Sequence, residues 1–196
     1  MLHPRGRSIA ISADCTDTDD SIRKLVKDVS KNEDHVYMLV NNAGVTIGMC
    51  SVEKCDEGGA ALKEELWKEN PSRWETVYRT NVIGCVSTPS CRIMKTDGMC
   101  VCRHFFTSVV FLPLLSAAAR DGRAGTTINM SSISSITRTT QHYFKYSASN
   151  AATIHLAREI WRLGVNDRVN NIAPGIFPSE MTGEARLVDE NPVPVC

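Results

Sequence analysis

The chain has 196 residues, of which 42% are apolar and 22% charged, enough for one domain with a substantial core. Its 22 lysines and arginines balance 22 aspartates and glutamates, so no global field favours nucleic acid or an anionic membrane, and a small molecule is the natural partner. No run approaches the roughly 18 apolar residues of a membrane span, and "MLHPRGRSIAISADC" has no apolar leader core; a cytoplasmic location with no membrane segment is expected.

In chain order, "SIAISADC" (8–15) alternates apolar and small polar residues and reads as a strand. The following "TDTDD" supplies a cap and an acidic first turn for a helix over "SIRKLVKDVS". "HVYMLVNNAG" (35–44) is a short apolar strand closed by glycine, and helical periods follow at 60–69 and 72–84. The segment "CVSTPSCRIMKTDGMCVCR" (85–103) fits neither period. It carries Pro89 and an Asp97-Gly98 turn signal, and holds four of the eight cysteines: Cys85, Cys91, Cys100 and Cys102. It also interrupts the stripe Trp74, Val77, Tyr78, Val82; without it, Phe105, Val109 and Leu112 fall four, eight and eleven places after Val82. The segment is therefore read as a disordered or looped-out insertion. A metal site from Cys91, Cys100, Cys102 and His104 lacks paired CxxC spacing, and no metal is expected.

Beyond it come a helix over 104–120, a strand in "TTINMSSISS" (126–135), a helix over 146–163 and a strand in "DRVNNIAPG" (167–175). The stripe Ala148, Ala152, Leu156, Ile160, Leu163 is the expected core face of the last helix, with Gly164 as its stop. Strands alternating with helices predict an α/β fold with a parallel sheet, whose chemistry gathers at the carboxyl ends of the strands.

Five short motifs lie at those ends or on the helices: "NNAG" (41–44), "NVIG" (81–84), "INMSSISS" (128–135), "YSASN" (146–150) and "NNIAPG" (170–175). In order and spacing they resemble the short-chain dehydrogenase/reductase family over about residues 8–182, with 85–103 unmatched. The texture of "ELWKENPSRWETVYRTNVIG" resembles the branch of 3-oxoacyl reductases of the rhamnolipid-biosynthesis type. The resemblance implies a Rossmann-like doubly wound parallel sheet, truncated at both ends relative to the family: one partial NAD(P)-binding domain over 1–196. It implies an oxidoreductase that interconverts a carbonyl and an alcohol by hydride transfer with NADP or NAD, on a small-molecule substrate, in a homo-oligomer paired through the helices at 72–120 and 146–163.

Carried over residue by residue, Tyr146 is the general acid/base, Ser132 positions the carbonyl, and Asn81 sits at a helix kink that supports a proton relay. Asp14 matches the acidic residue at the adenine ring, and Asn41, Ala43 and Gly44 match the turn on the adenosine side. Pro174, Gly175 and Ser179 match the nicotinamide-side loop. Two departures stand out. The family's lysine, four places after the tyrosine, is here Asn150, and no GxxxGxG phosphate-binding turn occurs. A phenol titrates near ~10, so about 0.1% is phenolate at neutral pH. An ammonium ~4 Å away contributes on the order of 4 kcal/mol toward that anion at an effective dielectric of ~20. An asparagine can keep a ribose hydrogen bond but brings no charge. Lys145 is no substitute, since adjacent helical residues point about 100° apart.

Each residue also has a plainer role open to it. Asp14 can cap the following helix, the Ser131-Ser132 pair can be turn chemistry, and Tyr146 can be a half-buried helix residue. His104, His142 and His155 read as structural. The alternative to an oxidoreductase is accordingly a non-catalytic fragment or pseudoenzyme, at most an interaction partner.

Overall fold

The computed structural model describes residues 8–13, 19–48, 50, 58–83, 103–137, 142–162 and 168–177. Three parallel strands, β1 (Met38–Asn41), β2 (Thr126–Met130) and β3 (Arg168–Ile172), form a sheet in the order β1-β2-β3. Helix α1 (Asp19–Ser30) precedes β1, and α2 (Gly59–Trp67), α3 (Pro71–Tyr78) and α4 (Arg103–Ala117) lie between β1 and β2. Helix α5 (Phe144–Arg162) connects β2 to β3. The α/β alternation read from the sequence is therefore present.

Local chemistry accounts for several boundaries. Asn70 caps α3, accepting from the Ser72 N–H at 2.9 Å, and Pro71 takes the first helical position, where its missing N–H costs nothing. Helix α3 runs into a π-helical turn at Arg79–Ile83, which places Asn81 at its centre. A 3-10 tail on α4 (Ala118–Asp121) ends at Gly122, whose φ of 73° suits a residue without Cβ.

Register sets the two faces of the sheet. Asn41, Asn129 and Asn171 align across the three strands, as do Leu39, Thr127 and Val169 one pleat earlier. These rows face the helices: α4 packs on β1 and β2, α5 packs on β2 and β3, and α4 and α5 touch each other. The core forms where Phe111, Leu114 and Leu115 of α4 meet Leu25, Val26 and Val29 of α1, together with Val36 and Leu39. On the opposite face Met38 and Val40 remain 56% and 49% exposed.

Three expectations are corrected. Residues 8–13 belong to no ladder, and Ile9 and Ile11 are exposed. Alternation within one segment does not make a strand without a neighbour, and none of the three described strands pairs with it. On α4 and its 3-10 tail the deepest apolar residues are Phe111, Leu114, Leu115 and Ala118, whereas Val109 and Leu112 are half-buried; the helix packs on α1 and β1 as well as on the π turn and α5, so its core is not one stripe. On α5 the buried line is Lys145, Ser149, Thr153, Ala157 and Ile160, while Ala148, Ala152 and Leu156 are half-buried. The segment read as an insertion falls almost wholly outside the described residues, as do Cys91, Cys100, Cys102 and Gly164.

Candidate functional site

At the carboxyl ends of the strands, two hydrogen-bond networks engage the motifs, one around Asn41 and one around Asn81. The Asn41 amide donates to Asn129 Oδ1 at 2.8 Å and to Ser108 Oγ on α4 at 3.2 Å, tying β1 to β2 and to the helix above them. Beyond β1 the chain turns at Gly44, where an added Cβ would lie 3.3 Å from Asn81 Oδ1. Glycine is what lets the turn approach that side chain so closely. Asn81 then reads both backbone groups of Val45, accepting from its N–H at 2.7 Å and donating to its carbonyl at 2.8 Å.

The same Asn81 amide donates to Ser149 Oγ on α5 at 3.1 Å, and Thr153 Oγ1 donates to the Asn81 carbonyl at 3.5 Å. Ser149 in turn donates to the Tyr146 carbonyl at 2.8 Å. The backbone of Tyr146, a half-buried residue in edge contact with Tyr143, is thus linked through one hydroxyl to the π turn and on to the loop that follows β1.

Asn150 is 6% exposed, and its Nδ2 donates to the Tyr146 carbonyl at 2.9 Å. The residue in the lysine's place is turned onto its own helix backbone and brings no charge toward the tyrosine. Nor does Lys145. Its side chain is 1% exposed and its ammonium lies 2.9 and 3.1 Å from the two oxygens of Glu69. Glu69 also accepts from Trp74 Nε1 at 2.9 Å and from the Cys50 thiol. Burial works against the Glu69 carboxylate, yet the hydrogen bonds from Cys50, Lys145 and Trp74 outweigh it and hold the acid below its usual range. Burial, then the adjacent Glu69 carboxylate, pushes the Cys50 thiol up to about 11.

Ser132 is buried at the start of a 3-10 turn (Ile133–Ser135), where its Oγ accepts from Ser134 N at 3.2 Å. This is the turn chemistry expected of such a pair. Ser131 donates to the Ile172 carbonyl at 3.0 Å, and Ile133 N donates to the Pro174 carbonyl at 2.9 Å, so the loops after β2 and β3 are laced together. Ala43, Gly44 and Gly175 are exposed at the strand ends, and no atom lies within 4 Å of a Cβ built on Gly175. Asp14 and Ser179 lie outside the described residues. His142 is structural in a specific sense: its Nδ1 meets the Cys50 carbonyl at 3.0 Å while its own carbonyl accepts from Cys50 N at 2.8 Å.

The sequence reading missed Glu69, Cys50, Ser149 and Thr153. A signal existed for two of them, since Lys145, Ser149 and Thr153 recur at four-residue spacing and define one helix face. Among the described residues, no group of three histidines, cysteines or acids could hold a metal, and no helix is long and apolar enough to cross a membrane.

A family model described as short chain dehydrogenase matches residues 99–189. Over 183 residues the chain is 27% identical to the short-chain dehydrogenase/reductase PhomF of Diaporthe leptostromiformis, covering 90% of this chain and 55% of that protein. It is 29% identical, also over 183 residues, to the rhamnolipids biosynthesis 3-oxoacyl-[acyl-carrier-protein] reductase of Pseudomonas aeruginosa, covering 92% and 58%. The chain thus spans little more than half the length of these relatives. Among solved structures it resembles the Pseudomonas aeruginosa RhlG/NADP active-site complex, with a TM-score of 0.64 and 25% identity over 93% of this chain and 57% of that one. It also shares its fold with the NADH-dependent reductase A1-R' complexed with NAD, with a TM-score of 0.60 and 21% identity over 85% and 56%.

Proposed function

From its likeness to the short-chain dehydrogenase/reductase family, we propose that this chain carries the substrate-side half of a cytoplasmic NAD(P)-dependent oxidoreductase, impaired in its proton-transfer step. The supporting observation is the network from Val45 through Asn81 and Ser149 to the Tyr146 carbonyl, which also accepts from an Asn150 that carries no charge. When bound, a nicotinamide cofactor supplies the hydride. The chain's own residues do the rest: Tyr146 gives its phenolic proton to the carbonyl oxygen of a small substrate, and Ser132 orients that carbonyl. Asn81 holds the turn from which the proton is replenished, and Ala43, Gly44, Pro174 and Gly175 offer backbone to the cofactor. A ketone or 3-oxoacyl ester is the substrate class favoured by the likeness to the rhamnolipid-type reductase.

The second reading, a non-catalytic interaction partner, is favoured by the engagement of both Asn150 and Lys145 in internal bonds. One set of proteins separates the two. The 196 residues contain no GxxxGxG turn, so the chain should give no saturable NADPH fluorescence enhancement at micromolar concentrations. With a family-type βαβ unit grafted ahead of residue 8 and residues 85–103 removed, 3-oxoacyl ester reduction should appear. It should vanish in Tyr146→Phe and rise roughly a hundredfold in Asn150→Lys, the scale of a well-tuned general acid. Reduction indifferent to Tyr146→Phe would sink the oxidoreductase reading.

A further inference from the structure

Glu69 occupies the joint between two helices. Its backbone N–H closes the end of α2 on the Leu66 carbonyl at 3.2 Å, and the next residue, Asn70, caps α3. Helix α3 leads without a break into the π turn that carries Asn81. From that joint the Glu69 carboxylate reaches across to Lys145 in the first turn of α5, one residue before Tyr146.

The first turn of a helix is its least secured part, because its leading N–H groups have no intrahelical acceptor. Here the turn is held by side chains as well as backbone. Lys145 is bonded to both Glu69 oxygens, Cys50 and His142 exchange two bonds just ahead of the helix, and Ser147 N donates to the Tyr143 carbonyl at 2.8 Å. Glu69 meets three donors: an ammonium, an indole and a thiol. A buried pair of this kind adds little net stability compared with apolar packing, yet breaking it strands a charge, so it penalises every rotation of α5 that separates the partners.

We propose that Glu69 is a positioning residue for Tyr146, setting the rotation of the first turn of α5 through Lys145 and so aiming the phenol from the joint where the helix that leads to Asn81 begins. The inference rests on the oxidoreductase reading for its purpose but not for its test. Neither Glu69 nor Lys145 touches the reacting atoms; they act through the helix.

The experiment uses the full chain labelled with 13Cζ-tyrosine, whose four tyrosines give four resonances, that of Tyr146 being assigned by Tyr146→Phe. Glu69→Gln and Lys145→Met should each move the Tyr146 resonance beyond its linewidth while leaving Tyr37, below the sheet's amino end, in place. Lys145→Arg, which keeps the charge and a two-pronged contact, should return Tyr146 to its parental position. A Tyr146 resonance unmoved in both neutral variants overturns the proposal. So does joint collapse of all four signals, which would make the pair a mere fold stabiliser, and so does a Lys145→Arg spectrum no closer to the parent than Lys145→Met. The readout does not depend on turnover: failure of the oxidoreductase reading appears instead as reduction that survives Tyr146→Phe.

Discussion

Cys50 is 5% exposed, and the acceptor of its thiol proton is a carboxylate already held ionised by Lys145 and Trp74. Burial and that carboxylate raise its pKa from 9.0 to about 11, so the folded protein keeps a proton that the unfolded chain releases earlier. Below pH 9 the thiol is protonated in both states and the contribution is intact. As the pH rises through 9 toward 11, the unfolded state binds fewer protons and stability is lost. Urea midpoints measured below pH 9 and near 11 should therefore fall more steeply in the parent than in Cys50→Ala; equal slopes would show that the thiol does not drive the loss. The Asn150 substitution was legible from the letters alone, because a missing charge is a property of a residue type. That its amide would turn back onto the Tyr146 carbonyl was not, since that depends on how deeply α5 is sunk into its neighbours.

Helix α5 shows where periodicity misleads. Ranking residues by apolarity selects Ala148, Ala152 and Leu156, yet the deeper line carries Ser149 and Thr153, because at this end of the layer the helix meets the polar side chain and backbone of Asn81. Hydroxyls are acceptable there only while each finds a partner. Ser149→Ala removes the acceptor of one Asn81 amide proton and the donor to the Tyr146 carbonyl, and should cost about 1–3 kcal/mol in urea unfolding. Ala152→Ser, on the half-buried neighbouring line, should stay within about 0.5 kcal/mol. Equal costs would mean that the network contributes nothing beyond burial. The strands were legible for a related reason in reverse: β1, β2 and β3 carry their β-rich runs whatever their neighbours. The alternation at 8–15 was equally good locally and paired with no described strand, since pairing is a property of two segments.

At the scale of the molecule, α3 with its π turn ends at Ile83 and α4 begins at Arg103, so the segment read as an insertion separates two helices that a deletion of 85–103 would join through Gly84 and His104. The shortened chain should show higher far-UV helicity and greater resistance to limited proteolysis, with zinc altering neither; unchanged helicity would refute the reading of that segment as an interruption. Sequence carried the layer architecture this far because it follows from alternating periods, while the joint at Glu69 stayed hidden because its partners are 76 positions apart. The register of the sheet bears also on the order of synthesis. Asn41 and its partner Asn129 are 88 positions apart, so at about 5–20 residues per second a ribosome releases β1 roughly 4 to 18 s before the strand it must pair with. Through that interval Met38 and Val40 leave the exit tunnel with an open ladder edge beside them, and α4, which covers β1 from the other side, is itself completed only shortly before β2. The nascent chain is therefore most exposed to wrong partners after β1 emerges and before β2 does, whatever its final stability.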